Sequence, residues 1–218
     1  MLKITDLEKR FSQEFSLKIP KLTIEKGERV ALIGANGSGK STLLRLIAKT
    51  LTPDRGSIEI SQDTKVGYSP QSPFVFRSTV EGNIRLCADS ACDMNALLDR
   101  FELTELRNKK ANSLSGGEKQ RMCLARILSG GFDLLLLDEP LSAADIETGE
   151  MLEWILTEEC EKKRTTLIMS THLPSQAFRT ATRVLIMNNG EIAEDLSKEQ
   201  FGCPKSEFGK KFLSQWRL

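Results

Sequence analysis

Cysteine in this sequence lacks any arrangement suited to structural work. Its five cysteines, at positions 87, 92, 123, 160 and 203, are odd in number and form no C-x-x-C pair. Neither a disulfide framework nor a zinc site is expected, and a reducing compartment suits such a chain. Long apolar runs are absent too. "DLLLLDEP" falls far short of the ~18–20 residues that cross a bilayer, so no membrane span is expected. Charges interrupt the opening "MLKITDLEKR" at once, which argues against a signal peptide. An excess of one charge is also missing. The formal net charge of +1 gives no general electrostatic case for an anionic membrane, and no nucleic-acid partner is expected. There is no internal repeat, low-complexity tract or long linker. What remains is 218 residues with 39% hydrophobic and 28% charged content, the balance of a globular protein of one large or two small domains.

The hydrophobic pattern alternates between strand and helix. "LKITDL" and "FSLKIPKLTI" read as strands, and "GERVALIG" as a buried strand entering a glycine-rich turn. "KSTLLRLIAKTL" reads as a helix ended by Pro53. "GSIEI" and "KVGYSP" are short strands. From about Ser78 to Leu128 the pattern turns helical. "DLLLLDEP" and "RTTLIMSTH" are continuous apolar strands of the kind covered on both faces of a parallel sheet. "IETGEMLEWILTEECEKK" and "PSQAFRTA" are helices, and "RVLIMNNGEIAE" is a hairpin turning at Asn189-Gly190. This alternation predicts an α/β fold around a mainly parallel sheet. Residues 73–131 read as an inserted helical lobe within a single domain.

"GANGSGKST", Gly34 to Thr42, matches G-x-x-x-x-G-K-[ST] between a predicted strand and a predicted helix, the context this motif requires. Its residues are Gly34, Ala35, Asn36, Gly37, Ser38, Gly39, Lys40, Ser41 and Thr42. The glycines permit a tight loop whose N–H groups converge on phosphate oxygens. Lys40 brings a point charge to the β- and γ-phosphates, and Ser41 brings a hydroxyl to Mg²⁺. "LLLLDEP" then delivers Asp138 and Glu139 to a strand's C-terminal end. There Asp138 suits Mg²⁺, and Glu139 suits polarisation of an attacking water.

"NSLSGGEKQRMCLAR" raises a different question. Ser115 and Glu118 form an ordinary helix start, but Gly116 and Gly117 weaken that helix. Paired glycines at a helix start let an anion approach bare backbone N–H groups. The stretch therefore reads as half of a phosphate site.

With "GANGSGKST", "LSGGEKQR" and "LLLLDEP" in that order, nearly the whole chain resembles the nucleotide-binding subunit of ABC transporters. The resemblance implies the P-loop NTPase core, with antiparallel N-terminal strands and the helical lobe carrying LSGGE. It implies ATP and Mg²⁺ as cofactors, and two subunits packed head to tail. Ser115, Gly116, Gly117 and Glu118 of one subunit would then meet the ATP of the other, with Asp145 in the loop crossing the seam. It also implies Gln71 on Mg²⁺ and water, His172 at the γ-phosphate, and Phe11 stacked on adenine, with Phe15 as the competing aromatic. Four positions depart from the family's usual residues: Phe11 for tyrosine, Ala144 for leucine, Leu173 for aspartate and Phe132 for proline. None removes a phosphate, metal or base ligand, so a hydrolysing site is expected.

The same resemblance implies separate membrane permease subunits and a place on the inner face of the cell membrane, with a solute-binding protein as a further partner. The ATPase would be a homodimer or a pair with a second ATPase subunit. The "SPFVFRSTVEGNI" segment resembles the one that meets the permease. The tail "SKEQFGCPKSEFGKKFLSQ" resembles importers of amino acids, phosphate or tungstate-like oxyanions, with no room for a large regulatory domain. The alternatives are a regulator of a membrane complex, of the cell-division or lipoprotein-release type, and a mechanical ABC ATPase outside transport.

Overall fold

A computed structural model describes residues 1–11 and 15–215. Strands β1 (Leu2–Arg10) and β2 (Ser16–Ile24) pair antiparallel, with Ile4 opposite Leu22 and Leu7 opposite Ile19. β3 (Arg29–Ile33) leads through the glycine loop into α1 (Lys40–Ile47). β4 (Arg55–Ile60) joins the other edge of β1, giving a three-stranded antiparallel sheet in the order β2-β1-β4. β5 (Val66–Ser69) precedes α2 (Val80–Ile84), α3 (Met94–Arg100) and α4 (Gly116–Leu128). There follow β6 (Leu134–Asp138), α5 (Ile146–Lys163), β7 (Thr166–Ser170), α6 (Pro174–Thr180), β8 (Arg183–Asn188), β9 (Glu191–Ser197) and α7 (Glu207–Ser214). The large sheet runs β5-β6-β7-β3-β8-β9, parallel except at the β8–β9 hairpin.

Alternation of side chains explains the unbroken leucine run. Leu135 and Leu137 face a cluster built with α2, α3, α4 and α5. Leu134 and Leu136 face the opposite way, into a cluster shared with α1 and the antiparallel sheet. Both faces of β6 are covered, so every position must be apolar. β3 divides similarly: Val30 and Leu32 join the α1 side, while Ala31 and Ile33 meet α6, β8 and α7. Each fully buried Leu or Ile contributes about 1.5–3 kcal/mol from surface removed from water.

The α1 boundary corrects the sequence reading. The helix ends at Ile47, well before Pro53. Lys49 takes a left-handed conformation with φ 57°, and the Thr50 N–H donates to the Arg45 carbonyl. A lysine thus occupies the left-handed helix-ending position usually held by glycine. The region from Ser78 to Leu128 is also less helical than expected, since α2 and α3 are short and 3₁₀ turns lie between α3 and α4. Phe132, the departure from proline, has a packing reason: its ring fills the space where a Cβ on Gly67 or Gly130 would lie.

All five cysteines are free. Burial pushes the Cys160 thiol up to about 12 and raises Cys123 as well, so neither is an activated thiolate.

Candidate functional site

The parallel strands β5, β6, β7 and β3 all end on one edge of the sheet, where α/β folds hold ligands. Each contributes part of the site: β3 the glycine loop, β6 Asp138 and Glu139, β7 Thr171 and His172, and β5 the turn bearing Gln71.

Gly34 begins the phosphate loop at φ 152°, and a Cβ there would lie 2.3 Å from the Met187 carbonyl oxygen. Only glycine lets the loop pass so close to β8. Lys40 folds back under the loop, its Nζ donating to the carbonyls of Gly34 at 2.7 Å and Ala35 at 3.1 Å. Its ammonium is 5% exposed as a residue, and burial pulls its pKa below the ordinary lysine value; Glu139 and Asp138 oppose that shift. Ser38, Gly39, Ser41 and Thr42 line the outer cleft with Asn36 and Gly37.

The Ser41 hydroxyl donates to Asp138 Oδ1 at 2.9 Å, and Ser170 donates to the same oxygen at 2.6 Å. Asp138 is 2% exposed. Among the described residues no group of three or more His, Cys, Asp or Glu side chains forms a metal cage. One serine hydroxyl and one carboxylate instead fit Mg²⁺, which takes few protein ligands and keeps phosphate oxygens and waters for the rest.

Glu139 stands in a left-handed conformation, φ 47°, which costs a non-glycine residue about 1–3 kcal/mol. Its N–H is held by the Ser170 hydroxyl at 2.9 Å. The strained turn aims its carboxylate into the cleft, where Gln71 Nε2 donates to Oε2 at 3.1 Å. His172 Nδ1 lies 3.6 Å from the same oxygen, beyond a hydrogen bond but close enough to share one ligand. So three strand ends converge on Glu139.

His172 sits in a built turn. The Thr171 hydroxyl donates to Gln176 Oε1 at 2.6 Å and accepts from the Leu173 N–H at 3.0 Å. Both Thr171 and Gln176 are buried. Ser170, Thr171 and Gln176 were not legible as site residues, because each acts through a contact between separate elements. The "STH" context after an apolar strand was the one available signal.

Phe11 and Phe15 close the β1–β2 hairpin beside the loop. The Phe11 N–H donates to the Phe15 carbonyl at 3.2 Å, the rings are 6.1 Å apart, and both line the same cleft. Geometry brings both candidate aromatics to the site.

The remaining expected residues do not line the phosphate-loop cleft, although Gly116 shares a neighbouring cavity with Gln71 and Glu139, and Asp145 another with Glu139 and His172. Ser115 caps α4: its hydroxyl accepts from the Glu118 N–H at 3.3 Å, and Glu118 accepts from the Ser115 N–H at 2.6 Å. That N–H holds the Glu118 carboxyl below its usual range. Asp145 caps α5, accepting from the Thr148 N–H at 2.9 Å. Within one chain these three residues make ordinary helix starts. Gly116 and Gly117 do not: a Cβ at either would meet nothing within 4 Å. No contact among the described residues requires them to be glycine.

The sequence profile of the ABC transporter family matches residues 17–142. The chain is 36% identical over 220 residues to the sulfate/thiosulfate import ATP-binding protein CysA of Mesostigma viride, covering 93% of this chain and 62% of that protein. It is 35% identical over 214 residues to the thiamine import ATP-binding protein ThiQ of Escherichia coli (strain K12), covering 88% of this chain and 90% of that one. Among solved structures, a dimeric ATP-binding cassette in a post-hydrolysis state bound to ADP and Pi aligns with a TM-score of 0.78 and 26% identity, covering 91% of this chain and 99% of that one.

Proposed function

Since the chain belongs to the ABC transporter family, we propose that it is an ATP-hydrolysing subunit that dimerises around two ATP and powers import of a small solute through separate membrane subunits. The observation that carries this reading is the convergence of Gln71, Glu139 and His172 beside the Lys40 loop and the Ser41–Asp138 pair. It is a site with a phosphate cradle, a cation position and a carboxylate aimed between them.

Each group has a definite task. Lys40 and the loop N–H groups hold the β- and γ-phosphates, aided by the positive end of α1. Ser41 and Asp138, with Gln71, would hold Mg²⁺, which would neutralise phosphate charge. Glu139 orients the attacking water and accepts its proton, while Gln71 fixes the carboxylate and His172 faces the γ-phosphate. Phe11 stacks on adenine. The subdomain of residues 73–131 presents Ser115, Gly116, Gly117 and Glu118 to the partner's ATP, with Asp145 at the seam. This use supplies the reason that the single chain lacks for Gly116 and Gly117: bare backbone donors need an unobstructed approach.

Phe74 and Phe76 support a membrane-partner surface. They are 68% and 43% exposed, in edge contact with ring centroids 4.8 Å apart. Arg126 lies over the Phe76 ring and donates to the Phe74 carbonyl at 2.9 Å, while Val75 packs inward against the helical core. The buried Asn83 side chain pins the Phe76 backbone through both its amide oxygen and its nitrogen. This segment, Ser72 to about Ile84, docks the permease on the inner face of the cell membrane, with a solute-binding protein outside. No helix among the described residues is long and apolar enough to cross a membrane. The proposed solute is of the amino-acid, phosphate or tungstate-like oxyanion kind; the relatives differ among themselves, one named for sulfate/thiosulfate and another for thiamine. The chain spans 62% of the sulfate/thiosulfate relative's length.

The direct test is ATP turnover by purified protein and three variants. Wild type should hydrolyse ATP. Lys40→Ala should lose binding, and Glu139→Gln should bind but not turn over. Gln71→Ala should leave binding intact and slow turnover. Equal turnover in wild type and Glu139→Gln would remove the assigned role of the carboxylate.

A further inference from the structure

The C-terminal helix α7 reaches the chemistry end of the nucleotide cleft. A cavity there is bounded on one side by Gly34, Asn36, Glu139 and His172, and on the other by Phe208, Lys211 and Gln215. Phe208 and Lys211 of α7 and its C-cap Gln215 are spaced i, i+3 and i+7, which places them on one face of the helix. The helix is held in place: Phe212, which also lines the cavity, and Leu213 are buried with Ile33 of β3, Ala177 of α6 and Ile186 of β8. The Ser206 hydroxyl caps the helix by accepting from the Gly209 N–H at 2.9 Å, and the Ser206 N–H donates to the Glu194 carboxylate of β9. α7 is therefore a packed wall, and not a loose tail beside the site.

Its cleft face carries one charge. Lys210 pairs with Glu207 at 3.0 Å on the helix's own surface, whereas Lys211 has no ion pair among the described residues. Glu139 and His172 border the same cavity, so an anion held between the phosphate loop and Glu139 would lie on the side Lys211 faces. A flexible ammonium at a cleft mouth suits a phosphate that must be bound, cleaved and released.

Resting on the reading above, we propose that α7 walls the hydrolysis side of the cleft and that Lys211 is a second cation for the γ-phosphate of a nucleoside triphosphate and for the inorganic phosphate it becomes. Lys40 holds the phosphates from beneath the loop, buried and permanent. Lys211 acts from the solvent side and so discriminates triphosphate from diphosphate without anchoring the nucleotide.

The test is a charge series in the full chain: Lys211→Arg, Lys211→Ala and Lys211→Glu, with Mg-ATP and Mg-ADP affinities measured by calorimetry and orthovanadate inhibition by steady-state turnover. An exposed charge contact of this kind corresponds to about a two- to fivefold effect. Lys211→Ala should weaken ATP and vanadate by that factor and leave ADP unchanged. Lys211→Glu should weaken them further, and Lys211→Arg should restore wild-type values. Melting temperatures should stay level across the series, because the side chain is exposed. An ATP-to-ADP affinity ratio and a vanadate response unchanged in all three variants would overturn the proposal. Lys40→Ala separates the two levels. If it loses ATP binding while the Lys211 series is flat, only the role of α7 falls; if Lys40→Ala keeps ATP binding, the nucleotide-site reading fails instead.

Discussion

Lys40 shows how one buried charge ties stability to binding. Its ammonium is desolvated, and its pKa is lowered by that burial. In the window between the lowered value and about 10.4, the folded protein without nucleotide holds fewer protons at this site than the unfolded chain. There the group makes stability rise with pH. A bound triphosphate favours the ammonium, so binding in that window takes up a proton and affinity falls as pH rises through it. Calorimetry of ATP binding at alkaline pH, in buffers of different ionisation heat, should show this uptake, and Lys40→Met should abolish it. The phosphate loop was legible in the sequence because its glycines and lysine act through local backbone geometry. Glu139 was legible from its place at the end of an apolar strand, and Gln71 and His172 only by family resemblance; their meeting at one carboxylate depends on strand order in the sheet. The adenine contact is a closer choice. Phe11 is 55% exposed and Phe15 lines the same cleft. Stacking is worth about 1–3 kcal/mol, so Phe11→Ala should raise the ATP dissociation constant about tenfold, and Phe15→Ala should raise it less. The reverse order would assign the stack to Phe15.

At the scale of elements, the start of α4 separates folding from function most cleanly. The Ser115–Glu118 capping box stabilises the helix, whereas Gly116 and Gly117 weaken it with no packing reason. Alanine at either position meets open space in the chain and should stabilise the fold by about 0.5–1 kcal/mol. The same methyl group should obstruct the approach of a partner's phosphate. Gly117→Ala should therefore melt higher than wild type and turn ATP over more slowly; a variant that is more stable and fully active would show that the glycine serves no partner. Element ends were the least legible part of the fold. α1 stops at a left-handed lysine, a position for which sequence offers glycine or proline as the usual cue. The apolar cluster Phe74–Val75–Phe76 reads as one patch in sequence, yet Val75 turns inward while the two rings face out. Because Arg126 and Asn83 hold that loop, Phe74→Glu should leave isolated ATPase activity near normal while uncoupling it from transport in a reconstituted complex. Loss of folding, read as a lower melting temperature with lost ATPase, would mean the rings pack structurally.

At the scale of the molecule, no described residue of the chain's own LSGGE turn lines the cleft that holds Lys40; Gly116 borders a separate cavity with Gln71 and Glu139. In the proposed assembly a complete site takes two subunits, each lending its turn to the other's phosphate loop. Mixing two defective subunits tests this directly. Lys40→Ala damages the phosphate loop, and Ser115→Arg places a bulky cation where the partner's γ-phosphate would lie. In a heterodimer of the two, both lesions fall on one composite site, and the other keeps an intact loop and an intact turn. The measurement is vanadate-trapped nucleotide in an equimolar mixture, compared with each variant alone and with wild type. Head-to-tail assembly predicts trapping in the mixture well above either variant, at the one restored site. Trapping that never exceeds either variant alone, while wild type traps fully and heterodimers are shown to form, would contradict it.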